Sequence, residues 1–320
     1  MRMGRWVFVL VVSAFLAAMT PQRTDAQIFL GSWGTKGWLP GELNVPQDVA
    51  TDSWGNVYVV DRWNGRIQKF TGLGVFVRTW GTHGVSPGCF SSAVAIACDA
   101  SNHIYVSDRD NCRVQKFDSD GNFILQFGGY GSEAGQMAFP DGIAIDVDQT
   151  ILVVDSGNNR IQRWSPNGEF LAQWGSYGSA PGQLDYPFDV AISGGFVFVT
   201  DWNNHRIQKY TSTGTYLGKW GYDYYIFPSG IFGDGEGHVL VMDANRCQLE
   251  KRDLNGTLLQ IWGSTCGSGF TQFGNAYGMC TDGHGHIFVA DTGNNRIQRL
   301  GDPAVPARPS TWGRLKTHWR

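Results

Sequence analysis

The stretch Asp155-Ser-Gly-Asn-Asn-Arg-Ile-Gln-Arg-Trp164 follows directly on the apolar run Ile151-Leu-Val-Val154. The same figure returns behind Asp61, Asp108, Asp201, Asp243 and Asp291, at intervals of 42 to 48 residues. Such a period marks an array whose units are single supersecondary elements, none able to bury its apolar face alone. Each copy contains four segments. The first resembles Pro140-Asp-Gly-Ile-Ala-Ile-Asp146, and the second is a short apolar run such as Val57-Tyr-Val-Val60. The third is of the type Arg66-Ile-Gln-Lys-Phe70, and the fourth ends in Trp-Gly, as in Val77-Arg-Thr-Trp-Gly81. Short β-branched and aromatic runs bounded by Gly, Asn and Asp are strands joined as hairpins. The second segments are apolar without alternation, which predicts burial on both faces.

Four strands in each of six copies predict an all-β, six-bladed β-propeller spanning residues 27–302. The sixth copy runs out after its third strand, at Arg296 to Leu300, while Phe29-Leu-Gly-Ser-Trp-Gly34 has the outer-strand ending without a blade of its own. Pairing these two pieces closes the ring and leaves no open edge at the seam.

The residues resemble the NHL-repeat family. The likeness rests on the Trp-Gly endings at Trp33, Trp80, Trp174, Trp220 and Trp262, and on the Asn-Arg-Ile-Gln figure at Asn159 to Gln162 and Asn295 to Gln298. Phe127 replaces Trp in one copy, and Gln248 stands where the others carry Arg66, Arg113, Arg160, Arg206 and Arg296. The resemblance implies a propeller and no particular activity, since the family includes lyases, receptor domains and RNA binders. Family lyases of the peptidylglycine type place zinc-binding histidines just after the proline that opens the inner strand. Here those positions are Gln47, Val94, Asp141, Phe188, Ser229 and Tyr277, and none is histidine.

Residues 1–26 read as a secretory signal peptide: Arg2 and Arg5 precede the apolar run Val7 to Met19, and Thr24-Asp-Ala26 supplies small residues for cleavage. No later stretch is apolar for long enough to predict a transmembrane helix. Residues 303–320 form a spacer with Pro303, Pro306 and Pro309, followed by a basic and aromatic tail. The formal net charge is −3, and removing residues 1–26 takes away three bases and one acid. With the remaining Arg and Lys spread through the repeats, a nucleic-acid partner is not expected. The chain is expected to be a monomer.

Six cysteines suit an oxidising compartment. Cys112 and Cys247 share a repeat position, and Cys89 and Cys266 both lie in blade-to-blade loops. The expected disulfides are therefore Cys89–Cys112 and Cys247–Cys266, each worth roughly 3 kcal/mol for a loop of about twenty residues. Cys98 and Cys280, on inner strands, read as buried thiols.

The recurring Asp and Arg read as scaffold, the carboxylate capping its loop and the guanidinium tying it down. His103, His238 and His286 fall in one turn register and read as solvated turn residues. The inner-strand entrance collects Asp48, Asp141 and Asp189, oxygen donors suited to Ca²⁺ at a channel mouth. On the Asp-loop face, Trp38, Trp63, Tyr186, Phe188, Trp202 and Tyr224 present aromatic surface beside polar groups, which suits sugar stacking or protein contact. The expected function is a non-catalytic binding module for a protein, peptide or glycan. The alternative is a lyase or hydrolase using Ca²⁺ or Zn²⁺ at the channel mouth.

Overall fold

The computed structural model describes residues 29–221, 227–263 and 265–301. They form six four-stranded antiparallel sheets. The signal-peptide segment, the C-terminal tail and Tyr224 lie outside the described residues. Blade one shows the common plan, with an inner strand Pro46–Thr51, a second strand Asn56–Asp61, a third Arg66–Thr71 and an outer strand Phe76–Trp80. Blade six is assembled from both ends of the chain, in the order Phe29–Trp33, Arg296–Gly301, His286–Asp291, Met279–Thr281. At the seam Phe29 faces Leu300 and Trp33 faces Ile297, as expected from the sequence.

The second strands are buried along their length in every blade. Their two faces feed the apolar layers between neighbouring blades. One layer joins Tyr58 and Val60 of blade one to Ile96, Ile104 and Val106 of blade two. The terminal ring of each outer strand extends the layer into the following blade. Trp80 lies against Gly121 and Trp174 against Gly214, both hairpin glycines with φ near +85°. At these glycines a Cβ would stand 2.5 Å from the indole, so the residue serves both the turn and the ring that covers it. Trp262 closes the last such contact by donating Nε1–H to the Gly301 carbonyl at 3.3 Å.

The leading aspartates hold the loops. Asp155 is fully buried and accepts from the Ala138 N–H at 2.7 Å, Arg160 Nε at 2.7 Å, Gln162 Nε2 at 2.9 Å and Asn158 Nδ2 at 2.9 Å. Arg160 then donates to the carbonyls of Ser132, Glu133 and Gln136 in the loop arriving from the preceding blade. The same set recurs around Asp61, Asp108, Asp201 and Asp291. Blade five departs. Gln248 replaces the arginine, Asp243 Oδ2 has no hydrogen-bond donor, and Arg246 stands 3.7 Å away.

Blade five carries the disulfide instead. Cys247 and Cys266 are bonded, whereas Cys89 and Cys112 are separate thiols, so the second expected pair is corrected. The reason is register. Cys266 bridges Phe273 as Tyr130 bridges Met137 and His83 bridges Phe90. The residue facing Cys112 by this pattern is Tyr130, in the loop after its blade. Cys89 lies in the loop before the blade, next to Phe90, with Sγ 3.4 Å from Thr82 Oγ1.

Candidate ligand site at the channel mouth

Each of the first five inner strands slips register just after its opening residue, between Pro46 and Val49, Ala93 and Ile96, Pro140 and Ile143, Pro187 and Val190, and Pro228 and Ile231. A bulge re-aims the side chains it carries. The bulged residues of these blades, with Tyr277 and Gly278 at the matching place in blade six, supply the lining of the channel mouth. Gln47, Asp141, Phe188 and Tyr277 form its upper tier, while Asp48, Gly142, Asp189, Gly230 and Gly278 form the tier below.

In the lower tier, Asp48 and Asp189 come from blades one and four, opposite each other in the ring. Each is used by backbone. Asp48 accepts from Val49 N–H at 2.8 Å and from Ile96 N–H of the next blade at 2.9 Å. Asp189 accepts from Val190 N–H at 2.8 Å and Ile231 N–H at 2.9 Å. Glycines flank both: a Cβ at Gly278 would overlap Asp48 and one at Gly142 would overlap Asp189. Burial, reinforced by Asp189, holds the Asp48 carboxyl well above the usual carboxylate range. Burial likewise pushes Asp189 up to about 7 against the pull of its two amide donors. These side chains divide the mouth from a deeper chamber of about 180 Å³ that is lined by inner strands and includes Cys98 and Cys280. Burial pushes the Cys98 thiol up to about 12 and that of Cys280 higher than usual, so both stay protonated.

The upper tier is two-sided. On one side Arg109, the residue after a leading aspartate, pairs through Nε with Asp141 Oδ1 at 3.0 Å and donates through Nη2 to the Tyr186 hydroxyl. Its guanidinium lies 5.2 Å from the Phe139 ring centre. Arg62, at the same position in blade one, donates to Ser92 Oγ at 3.2 Å and Gln47 Oε1 at 3.3 Å. Asp141 is buried, and its Oδ2 receives no hydrogen bond. The nearby Ser156 hydroxyl gives its proton to the Pro187 carbonyl at 2.6 Å. Burial raises Asp141 to about 6 although Arg109, the Ser156 hydroxyl and Arg62 all oppose the rise.

The other side is aromatic. Phe188 lies 5.4 Å from Trp202 and 5.8 Å from Tyr277, with the rings inclined by 41° and 38°. Phe227 continues the wall, 6.2 Å from Trp202. Inclined rings make a concave cup rather than a flat platform.

Of the sequence-derived candidates, Tyr186, Phe188, Trp202, Asp48, Asp141 and Asp189 therefore meet at the mouth. Trp38 and Trp63 sit apart on the rim of blade one, 77% and 62% exposed. Among the described residues, the three metal-type ligands whose atoms lie within 4.8 Å of one another are Asp234, Glu236 and His238, in a turn of blade five. His238 Nδ1 there contacts Asp234 Oδ2 at 2.8 Å, and His103 and His286 pair with Asp99 and Asp282 in the same way. The turn histidines are thus held by the carboxylate four residues earlier rather than simply solvated. Arg62 and Arg109 are not among the sequence-derived candidates. Aligning the copies one position past the leading aspartate would have found them, because that column reads Arg62, Arg109, Ser156, Trp202, Ala244, Thr292. Its variation contrasts with the invariant Asp column before it and with Asn64, Asn111, Asn158, Asn204 and Asn294 two positions later.

Among curated proteins none matches the sequence. A streptogramin B lyase is similar in structure, with a TM-score of 0.64 at 12% identity over 87% of this chain and 99% of that one. Virginiamycin B lyase from Staphylococcus aureus gives 0.60 at 13% over 80% and 94%. A gluconolactonase from Xanthomonas campestris gives 0.64 at 16% over 87% and 92%. At these identities the likeness is one of fold alone. The family model described as NHL repeat matches residues 43–70, 90–117, 137–164, 184–210 and 273–300. With the six closed blades described above, the chain belongs to the NHL-repeat family as a six-bladed β-propeller.

Proposed function

We propose that this chain is a secreted, non-catalytic binding module that takes a protein, peptide or glycan at the channel mouth on its Asp-loop face. The observation that carries the reading is the asymmetry of the mouth. Six near-equivalent blades converge there, yet one side presents Arg62, Arg109 and Asp141 and the other a cup of Phe188, Trp202 and Tyr277. An apolar cavity with a few fixed polar groups is the usual form of a recognition site. Secretion is supported by residues 1–26 and fits the Cys247–Cys266 bond. No helix among the described residues is long and apolar enough to cross a membrane.

The cation-dependent alternative must contend with the partners of its carboxylates. Asp48 and Asp189 each hold two backbone amides, and Asp141 is paired with Arg109, so an ion would have to displace these contacts. Peptide and glycan arrays probed with the protein and with Trp202→Ala test the proposal. A ligand set lost in the folded variant supports it. Ligands bound equally by both proteins, or stoichiometric tight metal with turnover of an ester or lactone, would overturn it.

A further inference from the structure

The polar side of the mouth has an unbalanced charge at Arg62, which bonds the lining residue Gln47, and an unfilled acceptor on the lining residue Asp141. Arg109 is matched by Asp141. Arg62 is not matched: its partners are the neutral Ser92 hydroxyl and Gln47 amide oxygen, and among the described residues no carboxylate lies within ion-pair distance. Among the described residues its Nη2 makes no hydrogen bond, its donors being Nε and Nη1. In the upper tier two guanidiniums therefore face one carboxylate, and the excess positive charge of that tier sits at blade one, above the buried Asp48 and Asp189 carboxyls. An uncommitted guanidinium nitrogen gives a carboxylate a charge-assisted donor, and Nη2 is that donor here.

The second element is Asp141 Oδ2, which is buried and lacks a donor although it lines the mouth. An unpaired buried acceptor carries a desolvation penalty that a ligand N–H or O–H would relieve. The third is the aromatic cup. Rings inclined by 38° and 41° enclose a compact apolar group better than they stack on the flat face of a sugar.

We infer that the mouth recognises a carboxylate carried on an apolar or aromatic body with one adjacent N–H or O–H donor. Its carboxylate meets Arg62, its donor meets Asp141 Oδ2, and its apolar part fills the cup of Phe188, Trp202 and Tyr277. A free acylated aromatic amino acid and the C-terminal residue of a peptide share this chemistry. The inference rests on the binding reading above and narrows it to one ligand class.

The experiment titrates the full chain with N-acetylphenylalanine, its amide, and acetyl-Gly-Gly-Phe, read by calorimetry and by tryptophan fluorescence. The acid should bind at least tenfold tighter than the amide, and added salt should shrink the difference. Arg62→Gln should bring acid and amide to equal affinity, Arg62→Lys should restore part of the preference, and Asp141→Asn should weaken both. An unchanged melting temperature in Arg62→Gln shows that the loss is not unfolding. Tighter binding of the tripeptide marks a peptide end as the source, and equal binding marks a free acid. Equal affinity for acid and amide in the native protein, or an acid preference that survives Arg62→Gln, overturns the inference. If both probes still depend on Trp202, the binding reading stands without it. No binding of any probe at millimolar concentration overturns the inference too, and the array result then decides the broader reading separately.

Discussion

The clearest quantitative consequence of the fold concerns the leading aspartates, which form one family by sequence and two by environment. Consider Asp155→Asn beside Asp243→Asn. Asp155 is fully buried, and its Oδ2 accepts from Arg160 Nε and Gln162 Nε2 at 2.7 and 2.9 Å. Asparagine keeps one acceptor for the Ala138 N–H but turns an NH₂ toward those two donors. Arg160, itself buried, loses its counter-charge while still tied to three carbonyls. Removing one partner of a buried ion pair costs about 3–5 kcal/mol. Asp243 has no arginine at that place. Its Oδ1 accepts two backbone N–H groups at 3.1 Å, and its Oδ2 faces the 41% exposed Arg246 side chain at 3.7 Å. Burial already raises its carboxyl above the ordinary value, so a neutral side chain is less disfavoured there. The expected cost is about 1 kcal/mol or less. Guanidinium chloride unfolding followed by circular dichroism and tryptophan fluorescence, with coincident transitions to license a two-state treatment, measures both variants. A difference of at least about 2 kcal/mol is expected. Equal losses, or a larger loss at Asp243, would refute the account of the repeated aspartates as carriers of buried arginines.

Three other outcomes follow from the same geometry. Cys247→Ser or reduction should lower stability by about 3 kcal/mol for a loop of this length, whereas Cys112→Ser should leave the response to reductant unchanged; a reductant effect that vanishes with Cys112 instead of Cys247 contradicts the observed pairing. The Asp189 carboxyl, raised to about 7 by burial, keeps its proton in the native state where the unfolded chain has lost it, so stability should fall as pH rises from about 4 to 7, by up to about 1.4 kcal/mol for each unit of pH while that difference holds. Asp189→Asn should reduce that slope by its own share, with the raised Asp48 and Asp141 carboxyls keeping the rest, and chemical unfolding at several pH values would expose a flat or rising profile in the native protein. Gly278→Ala should destabilise by about 1–3 kcal/mol, because its Cβ would overlap the Asp48 carboxylate and stand 2.6 Å from the Asp48 Cα; Gly218→Ala, with open space around it, should change the melting midpoint little.

Periodicity alone determined the number of blades, the four strands in each and the closure at the seam. The reason is that every copy repeats the same local chemistry, and a repeated unit with two apolar faces has few ways to cover them. The Trp-Gly endings and the Asp–Arg pairing were legible for the same reason. The disulfide pattern was half legible: Cys112 and Cys247 do share a position, but whether the partner lies in the loop before or after the blade depends on register, which residue spacing does not fix. The mouth was least legible. Arg62, Arg109, Asp141, Phe188, Trp202 and Tyr277 are spread over five blades; bulged inner strands turn Asp141 and Phe188 toward the axis, while Arg62, Arg109 and Trp202 arrive from the loops that follow the second strands. Local sequence sets strands through nearest-neighbour chemistry, whereas the charge on Asp141, the unmatched Arg62 and the tilt of the aromatic rings arise from burial and approach across the ring. Only the closed tertiary structure brings those groups within reach of one another.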